Sequence, residues 1–303
     1  MEFGAHLPLI DFDGRGWPVD RLASFADAAR TLGYGWLTAN DHLVFQRPWL
    51  DGIVALASVV GISGELRLAT TIALPVVRGP AALAKAAGAL DIISGGRFVL
   101  GVGPGSSARD YDVAGVAFEE RWARFDGTLR ALRGHLAPGD PDHPALEPRP
   151  GPIPIWVGSW GSGAGLRRVA RVGDGWLASA YNTDPAQVAA GRARLGVELA
   201  RQGRSLAGFP CALATMWTYV TDDDGARRAR LDELAAMLNR PAEPLAQQVL
   251  IGTVEHCASI VRAYADAGID RLFIWPLADD EQQLERFRRE VVPAAGLDEI
   301  RKG

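Results

Sequence analysis

Four short runs in this sequence combine residue types that suit chemistry on a bound ligand. Asn40-Asp41-His42 sets an amide, a carboxyl and an imidazole side by side. An imidazole changes charge near neutral pH and can pass or hold a proton. In the plainer reading Asp41 caps the next segment and His42 faces solvent. Gly103-Pro104-Gly105-Ser106-Ser107 and Gly158-Ser159-Trp160-Gly161-Ser162 are glycine- and serine-rich turns. Glycine allows close backbone approach to a ligand, and hydroxyls with free N–H groups suit a phosphate; tight turning alone is the alternative. The first turn is not a dinucleotide fingerprint, because Ser106 stands where the GxGxxG spacing from Gly101 needs its third glycine. The second runs into a helical stretch with Arg167 and Arg168, whose N-terminal amides would attract an anion, with Ser162 as an N-cap the simpler reading. Trp217 and Trp275-Pro276 either line a pocket for a flat ligand or belong to the core.

Other chemistries lack their residues. HExxH, GxSxG and Walker patterns are absent from the sequence. His135, His143 and His256 have no metal-ligand spacing, and Cys211 and Cys257 form no CxxC pair, so no metal site is expected. Lysine occurs only at Lys85 and Lys302, so a Schiff-base mechanism would rest on Lys85, which reads as mid-helix.

The elements that must position these runs alternate from end to end. Strands are expected at Phe3 to Leu9, Gly35 to Ala39, Leu66 to Leu74, Arg97 to Val102, Ile153 to Val157, Gly175 to Ser179, Ala212 to Val220 and Arg271 to Trp275. Helical patterns follow them, at about Val19 to Leu32, Ile53 to Gly61, Ala81 to Ile93, Phe118 to Leu136, Ala164 to Arg171, Pro185 to Gln202, Asp223 to Leu238, Val254 to Gly268 and Glu281 to Val292. Ala137 to Pro152 reads as an irregular insertion, and Asn239 to Gly252 fits neither pattern. Eight strands that each feed a helix predict an α/β fold, a (β/α)8 TIM barrel with insertions, over an open doubly wound sheet. No composition break divides residues 1–303 into two domains. In such a barrel the residues just after the strands carry function, and the runs above lie there.

Bulk properties agree. The chain has 303 residues, 48% hydrophobic and 22% charged, enough for a barrel with a water-excluding core. With a net charge of −4 and no basic stripe, a nucleic-acid partner is not expected. No run is long and apolar enough for a membrane span, and the N-terminus has no leader pattern, so a cytoplasmic protein acting on a small-molecule substrate is expected.

Together these runs resemble the bacterial-luciferase-like superfamily of flavin- and deazaflavin-dependent oxidoreductases. The likeness is carried by Leu68-Ala69-Thr70-Thr71-Ile72, Leu90-Asp91-Ile92-Ile93-Ser94-Gly95-Gly96-Arg97, Gly101-Val102-Gly103 and Phe118-Glu119-Glu120-Arg121-Trp122. Pro154-Ile155-Trp156-Val157-Gly158 and the stretch from Arg167 to Trp176 add to it. The resemblance implies a reduced isoalloxazine-type ring at the barrel mouth, backed by a non-prolyl cis peptide at Thr71-Ile72. It implies phosphate contacts from Gly103, Gly105, Ser106 and Ser107 and from Gly158, Ser159, Trp160, Gly161 and Ser162. Asp41-His42 resembles the deazaflavin-using members, which implies coenzyme F420 rather than FMN. His42 is then the leading catalytic candidate, with Asp41 orienting it or bonding the ring. An FMN-dependent monooxygenase and a non-catalytic flavin-binding protein are the alternatives. Family members often form a homodimer. The sequence departs from the pattern in having no lysines on its late loops, and its connection between the seventh and eighth strands reads as short.

Overall fold

The computed structural model describes residues 1–297 apart from Asp13 and Arg15. Along the chain run β1 (Glu2–His6), α1 (Arg21–Thr31), β2 (Trp36–Ala39), α2 (Gly52–Ser58), β3 (Arg67–Thr70), α3 (Pro75–Arg78), α4 (Pro80–Ile93), β4 (Phe98–Val102), α5 (Ala108–Ala114), α6 (Arg121–Leu136), β5 (Ile155–Gly158) and α7 (Gly163–Val172). There follow β6 (Gly175–Ser179), α8 (Pro185–Arg201), β7 (Cys211–Val220), α9 (Asp224–Leu238), α10 (Ala242–Ala246), β8 (Leu250–Gly252), α11 (Val254–Asp266), β9 (Arg271–Pro276) and α12 (Asp280–Arg286).

The strands pair in parallel in chain order from β1 to β7. β7 then pairs with β9, and β9 pairs back onto β1, which closes an eight-stranded barrel. β8 is a short addition on the outer half of β7, with Thr218 opposite Leu250. The (β/α)8 expectation holds. Inside the barrel, Trp36, Trp156 and Phe273 interdigitate with Ala69, Ala212 and Ala214, a large-against-small arrangement that fills the interior. A second apolar layer, including Leu37, Leu68 and Leu100, faces the helices. Side chains cap many of the helices: Asp51 accepts from the Val54 amide, Asp223 from Gly225 and Ala226, and Asp184 and Gln187 form a reciprocal capping box.

Several boundaries differ from the sequence reading. The third strand ends at Thr70, not Leu74, and Pro75 opens α3 as its first residue rather than closing a strand. α5 occupies what reads as loop after the fourth strand. The connection between β7 and β9 is not short: it carries α9, α10, β8 and α11. Leu231, Leu234, Leu245 and Val249 from this connection pack with Ile10, Phe12, Trp217 and Trp275 in a cluster over the C-terminal ends of the strands. β7 also contains an irregularity. Thr215 adopts φ of 59°, and the pairing register with β9 shifts between Leu213 and Met216, as in a β-bulge.

The rim of the barrel is tight enough to require glycine at Gly101, where a Cβ would stand 2.0 Å from the Thr70 carbonyl oxygen. Gly127, on α6, has nothing within 4 Å of its Cβ position. Gly101→Ala is therefore expected to destabilise the fold by about 1–3 kcal/mol, while Gly127→Ala should stabilise it by about 0.5–1 kcal/mol. Denaturant unfolding of the two variants should give shifts of opposite sign.

Candidate active site

The run after β2 sits where barrel chemistry is expected. The Nδ1 of His42 lies 2.7 Å from Oδ2 of Asp110, which is carried on α5. The other carboxylate oxygen of Asp110 accepts from the amides of Leu43 (2.7 Å) and Val44 (2.9 Å). Asp110 is buried. Burial by itself would raise its pKa, but the bonds from His42 and the two amides outweigh it and hold the carboxyl below the ordinary carboxylate range. A carboxylate so placed fixes the imidazole's orientation and keeps a proton on Nδ1, which leaves Nε2 for a ligand. The His42 ring also packs against Phe45 and Trp49, at centroid distances of 4.8 and 4.6 Å.

Asp41 does not orient His42. Its carboxylate is buried and receives the Arg78 guanidinium, with Nε at 2.6 Å and Nη2 at 2.7 Å, and the Leu74 amide at 3.2 Å. Arg78 also pairs with Asp51, the N-cap of α2. Asp41 thus ties the loop after β2 to the segment leaving β3, and of the two roles expected of it the orienting one falls to Asp110. Sequence reasoning missed both Asp110 and Arg78, because α5 and α3 were not recognised. The spacing Ser107-x-x-Asp110 has the form of a helix start and was the available signal.

The Thr71-Ile72 peptide is cis and non-prolyl. Thr71 is bound back to the Ala39 carbonyl through its amide at 2.7 Å, so this segment lies beside the end of β2. Ile72 meets both glycine-rich turns: a Cβ on Gly103 would stand 2.3 Å from Ile72 Cδ1, and one on Gly158 3.3 Å from Ile72 Cγ2 and 3.9 Å from the Gly103 Cα. The first glycines of the two turns are therefore brought together, and what Gly103 accommodates is Ile72. Gly105 likewise lies under Leu74, with φ of 76°. Tyr111 of α5 donates to the Pro104 carbonyl and anchors the first turn. Ser106 is exposed and Ser107 half-buried at the start of α5. In the second turn, Ser159 accepts from the Gly161 amide (3.2 Å) and Ser162 caps α7 through the Gly165 amide (3.2 Å), so both hydroxyls have local work. Gly161 has φ of 85° and open space around its Cβ position, and Trp160 is exposed.

Two buried hydroxyls here, Thr38 Oγ1 and Thr71 Oγ1, have no hydrogen-bond partner among the described residues, and His6 Nε2 and Asn40 Oδ1 have at most each other. Buried polar atoms are rarely left unpaired in native proteins. A planar heterocycle with nitrogen and oxygen at its edges has the chemistry to pair with them. The residues present are chemically compatible with a flavin-type ring, which His42, Thr71 and Ile72 would hold with the turns at Gly103 and Gly158 nearby. A cleft of about 910 Å³ lies elsewhere, between the C-terminal ends of α6 and α7 and the 137–141 segment.

The sequence pattern of the luciferase-like monooxygenase family matches residues 9–271, and the chain belongs to that family. An F420-dependent hydroxymycolic acid dehydrogenase of Mycobacterium tuberculosis is 26% identical over 318 residues, covering 91% of this chain and 84% of that protein. With an uncharacterized protein of the same organism the identity is 31% over 183 residues. That match takes in 50% of this chain and about three fifths (62%) of that relative's length. Among solved structures, an F420-dependent secondary alcohol dehydrogenase in complex with an F420-acetone adduct superposes with a TM-score of 0.81 at 17% identity, covering 97% of this chain and 98% of that one. The monooxygenase RslO1 from Streptomyces bottropensis gives 0.80 at 18% identity, covering 97% and 99%. A type II Baeyer-Villiger monooxygenase from Pseudomonas putida in complex with FMN gives 0.71 at 16%, covering 97% and 98%. The family includes both F420- and FMN-dependent members.

Two outcomes follow from the site's electrostatics. Arg78→Met strands the buried Asp41 carboxylate and is expected to cost about 3–5 kcal/mol. The double variant Asp41→Asn/Arg78→Met should recover a large part of that loss in urea unfolding. His6 is driven by burial from 6.5 down to about 3, against its bond to the Leu7 carbonyl and the neighbouring Asn40 side chain. The unfolded chain therefore binds a proton at His6 that the fold refuses. Stability should fall as pH drops from about 6.5 toward 3, with His6 contributing up to about 1.4 kcal/mol per pH unit. His6→Phe should flatten that slope in thermal unfolding.

Proposed function

We propose that this chain is an F420-dependent oxidoreductase that exchanges a hydride between the deazaflavin and a small organic substrate at the barrel mouth. The His42–Asp110 pair carries the reading: a buried carboxylate fixes an imidazole on the loop after β2, the strand whose end receives the Thr71 amide, and the Thr38 and Thr71 hydroxyls lie buried without partners among the described residues. The bound ring supplies the hydride chemistry, and the protein supplies position, proton handling and exclusion of water. His42 holds or delivers a proton at Nε2, on the substrate's oxygen or at the ring's edge. Asp110 keeps the imidazole aimed and stabilises it when it is charged. Thr71 and Ile72 shape one face of the ring's site. Gly103 to Ser107 and Gly158 to Ser162 take its phosphate, where the α7 N-terminus adds favourable dipole. The F420-dependent activities named for the mycobacterial relative and for the alcohol dehydrogenase favour a deazaflavin over FMN.

A second reading, an FMN-dependent monooxygenase, is favoured by the Streptomyces and Pseudomonas neighbours. Fluorescence titration of the purified protein with F420 and with FMN separates the two. Saturable micromolar binding of F420 and not FMN is expected. Binding of FMN alone, with oxygen consumption in its reduced form, would establish the second reading instead, and binding of neither would defeat both. His42→Ala should lower turnover by about 10²–10⁴-fold while the cofactor dissociation constant changes only a few-fold; an unchanged rate removes His42 from the reaction.

A further inference from the structure

The insertion that follows α6 brings two imidazoles together on the outside of the barrel. His135 lies in the last turn of α6 and His143 in the 137–152 segment. Their ring centroids are 5.7 Å apart and their planes nearly perpendicular, at 89°. Spacing along the chain gives no sign of this pair, because the path of the insertion creates it.

Each ring spends one nitrogen on structure. His135 Nδ1 lies 3.0 Å from the Pro144 carbonyl oxygen, and His143 Nδ1 lies 3.0 Å from Asp140 Oδ2. A carbonyl and a carboxylate only accept, so in both neutral rings the proton sits on Nδ1 and Nε2 keeps a lone pair. Neither Nε2 bonds another group among the described residues. Imidazole ligates a metal in this form, with its second nitrogen donating to a carboxylate or a backbone carbonyl. Tying the insertion to the helix needs the Nδ1 donors alone, which a side-chain amide would also supply.

The pair is held by its surroundings. The other oxygen of Asp140 accepts from the amides of Asp142 (2.9 Å) and His143 (3.2 Å), and the Leu146 amide bonds back to the His135 carbonyl (2.9 Å). The insertion lies so close to α6 that a Cβ on Gly134 would stand 2.7 Å from His143 Cβ and 3.1 Å from Asp140 Cβ. Both rings remain within reach of solvent, His143 with 29% of its side chain exposed and His135 half-buried. Two imidazoles on one tetrahedral ion, each bonded at about 2.0–2.1 Å, have centroids about 5 Å apart. The observed separation closes to that with a small side-chain adjustment. Among the described residues no group of three His, Cys, Asp or Glu side chains is placed to hold a metal, so water completes the coordination.

We propose that His135 and His143 form a binding site for a divalent transition-metal ion of the zinc, nickel or copper class, with Asp140 as the carboxylate that orients His143. Two imidazoles and water suit these ions, whereas Mg²⁺ and Ca²⁺ require oxygen ligands. The bound ion pins the insertion to the end of α6 and takes no part in the reaction proposed above.

Calorimetry with Zn²⁺ on the full chain, purified without a histidine tag, tests this. One site with a micromolar dissociation constant is expected, and no binding of Mg²⁺. His135→Gln and His143→Gln should each weaken Zn²⁺ binding by about 100-fold or more, and Asp140→Asn by about 10–100-fold. The Cu²⁺-loaded protein should show electron paramagnetic splitting from two imidazole nitrogens, and from one in His135→Gln. His42→Gln, at the barrel mouth, should leave affinity and splitting unchanged. Absence of Zn²⁺ binding at millimolar concentration would overturn the proposal, as would equal binding by His135→Gln or loss of binding in His42→Gln. Should an insertion variant fail to fold, the unsubstituted protein decides, since splitting from a single nitrogen contradicts the paired site.

Discussion

Two buried carboxylates hold the mouth of this barrel together. Where parallel strands end, the chain leaves the hydrogen-bonded ladder, and its amides must find other acceptors. Asp110 accepts the Leu43 and Val44 amides, and Asp41 accepts the Leu74 amide. Each carboxylate also engages a cationic or titratable partner, His42 for Asp110 and Arg78 for Asp41. The same atoms that make an irregular rim affordable to the fold therefore fix the imidazole that the proposed chemistry uses. Removing a charge here would disturb structure and function together, which is why the proposed role of His42 is best separated from stability by comparing turnover with cofactor affinity.

The barrel was legible because its signals are periodic. Short β-branched runs alternate with helical patterns bounded by caps such as Asp223 and Ser162, and the strand and helix positions follow within a few residues. What was not legible is short or aperiodic. Thr71-Ile72-Ala73-Leu74 reads as strand from its side chains, yet the regular strand ends at Thr70, only Ala73 pairs on, as an isolated bridge to Val102, and the chain turns into α3. α5 spans only seven residues behind a glycine-serine turn, so Asp110 and its hold on His42 were hidden. Adjacency in sequence points Asp41 at His42, with a bond to the ring as the alternative, whereas its carboxylate receives a cation 37 residues away. The cis peptide at Thr71-Ile72 came from the family likeness, since nothing in the residue types requires it. The segment from Asn239 to Gly252 resisted reading because its structure is α10 and a three-residue strand, packed on side chains from distant loops.

Membership of the luciferase-like family and a shared barrel define what this scaffold is, while the chemistry depends on the rim. Its unpaired buried atoms divide by kind. Around Thr71 and Thr38 they are hydroxyls, suited to the polar edge of a heterocycle. In the tryptophan cluster they are donors alone.

The most direct test of the account is a crystal structure of the protein with bound F420. The account predicts the deazaflavin ring against Thr71-Ile72, within reach of His42, with its phosphate beside Gly103 to Ser107 and Gly158 to Ser162. A ring bound elsewhere, for instance in the cleft beside Arg133 and Arg171, with the strand ends untouched, would contradict it.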